Sequence, residues 1–185
     1  MKPISRWAAG GLLWLLVCAP LAISQTKDAP PAPASAAPVV AAEVASPEAL
    51  LTAVYAAISG PAGERDWAHF RTLFLPDARL TLSRAKPDGS VAVRSMSVDD
   101  YIKLGGDYFK KEGFYENAVV NRIFRYGHMV DALSSYESRH APGEKPFARG
   151  INSMQMIGDG TRWWMVSIAW DDERPDNPMP KEFLK

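Results

Sequence analysis

Apolar positions fall at helical spacing in the first half of the chain and at strand spacing in the second. Leu50, Leu51, Val54, Tyr55 and Ile58 mark a first helix. Ser46-Pro47-Glu48 opens it with an N-cap, a first-turn proline and an acidic group at the positive helix end, and Ser59-Gly60-Pro61 closes it. Trp67, Phe70, Leu73 and Phe74 predict a second helix from Asp66, broken by Pro76-Asp77 ahead of a strand over 78–83. Lys86-Pro87-Asp88-Gly89 reads as a turn. Ser97-Val98-Asp99-Asp100 has the form of a capping box, and the helix it opens carries Tyr101, Leu104, Tyr108 and Phe109. Gly105-Gly106 inside that helix marks an early break or a close contact.

From Ala118 onward the pattern predicts strands over 118–126, 129–140, 147–157 and 162–171. Helices followed by a strand-rich half is an α+β arrangement. The last two strands flank Gly158-Asp159-Gly160-Thr161, a hairpin turn signal. In the final strand, strict alternation puts Trp164, Val166, Ile168 and Trp170 on one face and Trp163, Met165, Ser167 and Ala169 on the other. Both faces carry large apolar groups, so neither is given over to water.

Residues 1–24 read as a targeting segment: Lys2 and Arg6 precede an apolar run from Trp7 to Val17 too short for a stable membrane span. Ala22 and Ser24 are small residues at the two positions read for cleavage before Gln25. The expectation is an exported protein, periplasmic or secreted. Lipidation at Cys18 is the rival, although Val17 stands where a small residue is usual, and an uncleaved anchor is a third route. Membrane association is expected only through this segment. Residues 25–46 are rich in Ala and Pro and read as an extended, disordered linker. The domain is expected over 47–173, with a Pro-rich tail over 174–185.

The 185 residues carry 21 basic and 21 acidic groups, a balance that argues against a nucleic-acid footprint. Cleavage after Ser24 removes two basic residues and no acidic ones, for a net charge of about −2. It also removes Cys18, the single cysteine, so disulfides, thiol catalysis and cysteine-ligated metal drop out. His69, His128 and His140 show no metal-ligand spacing. Asp171-Asp172-Glu173 with Asp176 lacks the glycine-punctuated spacing of a calcium loop and is expected to face solvent or pair with Arg162 or Arg174. Phosphate loops, nucleophile elbows and dinucleotide fingerprints are missing, so no cofactor is expected.

The order helix, helix, Leu73-Phe74-Leu75-Pro76-Asp77-Ala78-Arg79-Leu80, helix, then long strands resembles the nuclear transport factor 2-like superfamily. Arg149-Gly150-Ile151-Asn152-Ser153, the Trp-rich hairpin and Trp170-Asp171-Asp172-Glu173 resemble its SnoaL-like bacterial members. The resemblance covers 47–173 and implies three N-terminal helices in the concave face of a strongly bent, mainly antiparallel sheet. That is a cone-shaped α+β barrel with a pocket, and it implies a homodimer through the outer sheet face. Such a fold hosts unrelated activities, so function must come from the site.

Set against the ketosteroid isomerases of that superfamily, Tyr55 falls on the oxyanion tyrosine and Asn152 where the oxyanion aspartic acid lies. Those enzymes pair a carboxylate base with neutral hydrogen-bond donors. Here the base is missing from its usual place, because Leu82 holds that position. Tyr55 fits equally as a core residue with a satisfied hydroxyl. Pocket candidates are Tyr55, Tyr136, Asn152, Met154, Ile168 and Trp170, with Tyr136 sharing its face with Ser134 and Ser138. Weaker acid/base candidates are Asp77, expected to bond backbone amides at a corner, and His140 at a strand end. The leading expectation is binding of a small hydrophobic molecule without catalysis. The alternatives are a cofactor-free lyase, isomerase or hydrolase, and a structural dimer module whose pocket is filled. A buried carboxylate or His140 within hydrogen-bonding reach of the cavity shared by Tyr55 and Asn152 would favour catalysis, and a cavity with no titratable group near them would favour binding.

Overall fold

The computed structural model describes residues 40–86 and 88–184; the targeting segment and linker residues 25–39 lie outside the described residues. Among the described residues three α-helices, α1 (Pro47–Ile58), α2 (Trp67–Thr72) and α3 (Val98–Lys111), accompany six strands. The strands are β1 (Phe74–Ala85), β2 (Val91–Met96), β3 (Tyr115–Tyr126), β4 (Met129–Arg139), β5 (Ala148–Gly158) and β6 (Trp163–Asp172). They form one curled, unclosed sheet in the order β2-β1-β6-β5-β4-β3, antiparallel except for the β1–β6 pair.

Local chemistry accounts for the helices. Ser46 caps α1 by accepting the Ala49 N–H at 3.1 Å, and Asp66 caps α2 through His69 at 2.8 Å. Ser97 and Asp100 close the reciprocal capping box of α3. Gly105 permits a close contact rather than a break, since a Cβ there would lie 2.8 Å from the Phe109 ring. Helix α2 is shorter than the periodicity predicts: Leu73 and Phe74 are buried, but Phe74 already pairs with Met165 of β6. The register then jumps to Arg79↔Ser167, so Pro76 and Asp77 sit in an irregular stretch of β1. The exposed strand β2 carries little apolar alternation, and the periodicity does not predict it.

The helices pack into the hollow of the sheet. Leu50, Leu51, Phe70, Leu73, Met154, Met156, Met165 and Val130 are all essentially inaccessible there. Phe70 meets Phe74 at 4.7 Å and Tyr101 at 5.8 Å between ring centres. The loop after α1 folds around the buried Arg65 guanidinium, which donates to the carbonyl oxygens of Ile58, Gly60, Pro61 and Gly63. A buried charge is tolerated because these bonds replace its hydration.

Strict alternation in the last strand fails at Val166. Gln155 pairs with Ser167 and Met156 with Met165, leaving Val166 as the extra residue of a bulge. The bulge brings Trp163 and Met165 onto the buried face together with Ile168. Both ends of the expected domain also extend. A 3-10 turn over Ala41–Val44 buries Val44 within the stretch expected as linker. At the other end Phe183 is buried on the outer sheet face, and its carbonyl accepts a 2.9 Å bond from Ser135. An apolar side chain in each flank explains why both pack. The acidic cluster pairs with Arg174 and Arg149, whereas Arg162 bonds the Thr72 carbonyl and lies over the Trp164 ring.

Candidate functional site

At one end of the hollow the packing stops and leaves a cavity of about 250 Å³. Tyr55, Tyr136, Asn152, Met154, Ile168 and Trp170 all line it. Cross-strand register explains the convergence of the last five. Tyr136, Gly150 and Asp172 lie side by side on β4, β5 and β6, and so do Ser134, Asn152 and Trp170 one step deeper. Tyr55 reaches the same place from the inner face of α1. Asp77 is exposed on β1 and His140 stacks on Phe147 at 4.2 Å, neither of them in the cavity wall. Leu82 pairs with Trp170 and Arg94 and is also outside the wall.

The deepest polar contacts form a closed network. The Tyr55 hydroxyl lies 2.7 Å from the Ser134 hydroxyl and accepts from the Asn152 amide at 3.0 Å. Burial pushes the Tyr55 phenol up to about 12, so it is neutral at physiological pH. Nearer the mouth, Tyr136 donates to the Asp172 carboxylate at 2.5 Å. It crosses Gly150 to do so, and a Cβ at that position would collide with the Tyr136 hydroxyl and the Asp171 carbonyl. Glycine is therefore what lets a β4 side chain reach β6. Burial first, and then the bond to Asp172 and its charge, hold the Tyr136 phenol well above its ordinary range.

The cavity also contains a carboxylate that the sequence pattern does not single out. Glu116 of β3 accepts a 2.8 Å bond from Ser138, and the Asn152 amide faces it. Its backbone is pinned as well: the Glu116 N–H donates to Ser59 at 3.0 Å, and Ser59 donates to the Tyr55 carbonyl at 2.7 Å. The strand bearing Glu116 is thus tied to the last turn of the helix bearing Tyr55. Burial pushes the Glu116 carboxyl up to about 7, with the Asp172 charge adding to the rise and the Ser138 and Asn152 bonds opposing it. The predicted strand begins at Ala118, which leaves Glu116 outside the alternation. Carried back two residues from Ala118, the same alternation places it on the cavity face, opposite Ser138.

Aromatic rings from α2, α3 and β6, with Phe114 and Phe147 from loops, make much of the remaining wall. Tyr101 packs between Phe70 and Trp170, at 5.8 and 6.3 Å between ring centres. Burial and the Glu116 charge raise the Tyr101 phenol, which stays protonated. Among the described residues no cluster of metal-ligating side chains occurs. A carboxyl balanced near neutrality, beside neutral hydroxyl and amide groups in an apolar hollow, can accept and return a proton.

No family model and no curated protein matches the sequence. Solved structures do match in shape. A β subunit assigned to an aromatic-ring-hydroxylating dioxygenase of Novosphingobium aromaticivorans aligns at TM-score 0.52 and 14% identity, over 69% of this chain and 86% of that one. A protein of unknown function with a cystatin-like fold from Nostoc punctiforme gives 0.52 at 8% identity, over 69% and 92%. A Caulobacter vibrioides protein with a cystatin-like fold gives 0.50 at 13%, over 70% and 88%. At such identities the likeness is one of fold, and the chain adopts the nuclear transport factor 2-like fold, a cone of curled sheet around three helices.

Proposed function

We propose that this protein is a cofactor-free proton-transfer enzyme, an isomerase or lyase, acting on a small and largely apolar carbonyl compound with Glu116 as the acid/base group. The observation that carries this reading is the buried Glu116 carboxylate in the wall of a largely aromatic and aliphatic cavity, held by Ser138 beside the Tyr55–Asn152 network. Binding without turnover would not call for a carboxylate there, because an unpaired charge in an apolar site is costly. The sequence favours binding alone because Leu82 stands at the base position of the resemblance. Glu116 supplies the missing group from a different strand.

A carboxylate is a weak base, so the C–H bond it can open is one whose electrons flow into a neighbouring carbonyl. Glu116 takes that proton, the C–H electron pair becomes the new C=C bond, and the carbonyl π pair moves onto oxygen. The neutral carboxyl then returns the proton to the same or a conjugated carbon, with no net redox change. Raising the Glu116 carboxyl toward neutrality suits both halves of the cycle.

The test is proton NMR of 1-indanone with the protein in D2O. Loss of its α-proton signals above the buffer rate, rising with pH through about 7 and returning to background in Glu116→Gln, is expected. Exchange that is equal in the two proteins would remove Glu116 from the reaction.

A further inference from the structure

Among the described residues, every hydroxyl, amide and carboxylate in the cavity wall but one is already committed within the protein. Tyr55 is held by Ser134 and Asn152, Tyr136 donates to Asp172, and Ser138 donates to Glu116. The exception is Tyr101 on α3. Its ring is fixed between Phe70 and Trp170, yet among the described residues its hydroxyl has no hydrogen-bond partner. A phenol hydroxyl that belongs to a cavity wall, is not sealed from solvent and has no protein acceptor is free to donate to a ligand oxygen.

We propose that the Tyr101 hydroxyl donates a hydrogen bond to the substrate oxygen, and that the substrate is a compact aromatic or alicyclic ketone. This inference rests on the proton-transfer reading and names the oxygen contact and the substrate class for the same site. Three observations point that way together. The free donor asks for an acceptor, and the two carboxylates of the wall, Asp172 and Glu116, disfavour carboxylic acids and other anions by like-charge repulsion. The surrounding rings, Phe70, Tyr101, Phe114 and Trp170, offer flat apolar surface, and about 250 Å³ admits one or two small rings. Tyr101 is a donor of the right kind for a developing enolate: neutral, rigidly packed and set among apolar rings. Tyr55 is poorly suited to that role because its hydroxyl is occupied by Ser134 and Asn152.

The experiment compares the affinity of 1-indanone with that of indane, which has the same rings and no oxygen. It uses wild type, Tyr101→Phe and Glu116→Gln. Wild type is expected to prefer the ketone by about tenfold, the worth of one good hydrogen bond to an otherwise unpaired group. Tyr101→Phe should abolish that preference while binding indane as wild type does, because the ring and its packing remain. Glu116→Gln should keep the preference, which separates a failure of Tyr101 from a failure of the acid/base reading. Equal binding of the two probes to wild type would overturn the inference, and so would an absence of 1-indanone binding. A ketone preference that persists in Tyr101→Phe, or a loss of indane binding in that variant, would overturn it too, since the hydroxyl would then not be the contact.

Discussion

The two ends of the cone are built from the same strands and have opposite chemistry. Along β4 the inward residues run from Val130 and Ala132 to Ser134, Tyr136 and Ser138. Along β5 they run from Met156 and Met154 to Asn152 and Gly150, and along β6 from Met165 and Ile168 to Trp170 and Asp172. Alternation keeps each of these on one face, but composition changes midway. At the apolar end the hollow is filled by Leu50, Leu51 and Leu73. At the polar end the side chains bond to one another and leave space. Close packing is concentrated where the hollow is filled, and polar groups converge where it is left open.

The sharpest way to break this contrast is Leu50→Ala at the filled end. Truncating this fully buried side chain should destabilise the domain by about 2–5 kcal/mol in denaturant unfolding. A loss below about 1 kcal/mol would mean that the filled end is not where stability resides.

Next in size, and opposite in sign, is Glu116→Gln at the open end. The folded-state carboxyl is raised from 4.5 to about 7, so the folded protein disfavours the ionised form. Wild type should therefore lose stability as pH rises from about 4.5 to about 7, whereas the Gln variant should not. Above pH 7 the variant should be more stable by on the order of 3 kcal/mol, and below pH 4.5 the two should agree. Unfolding curves at four or five pH values check this, and a difference that does not vary with pH would count against a buried, raised carboxyl.

Gly150→Ala tests the crossing of Tyr136 over β5. The added methyl meets the Tyr136 hydroxyl and the Asp171 carbonyl, so the Tyr136–Asp172 bond should break at a cost of roughly 1–3 kcal/mol. Tyrosine absorbance titration should show one phenol shifting downward in the variant, and no shift would mean the bond survives. Smallest is Tyr55→Phe, which strips one hydroxyl from the inner network and should lower stability by about 1 kcal/mol. Because the ring remains, the filled end should be unaffected. Hydrogen exchange that changes around Leu50 as much as around Asn152 would show that the two ends are not energetically separate.

Much of the fold is legible in local pattern: the caps at Ser46 and Ser97, the helical spacing from Leu50 to Ile58, and four long strands within a few residues of their observed limits. These depend on neighbours in sequence, so sequence carries them. The misses share a cause. The bulge at Val166, the strand β2 and the early start of β1 are set by partner strands, and no local signal records where a partner shifts register. Composition places Val44 and Phe183 in the flanks, although each is a single apolar residue that finds a place on the domain.

The site divides the same way. Residue type and alternation select Tyr55, Tyr136, Asn152, Met154, Ile168 and Trp170, because period-two spacing decides which strand side chains share a face. Glu116 and Tyr101 are chemically more telling, and the sequence marks neither as a site residue. A glutamate near a strand end and a tyrosine in a helix are ordinary until burial raises the carboxyl to about 7 and packing leaves the phenol without a partner. Desolvation and hydrogen-bond commitment belong to the assembled cavity rather than to any segment. The sequence determined which elements form and which faces turn inward; tertiary structure alone decided which polar groups share one hollow, and which of them remain free to act.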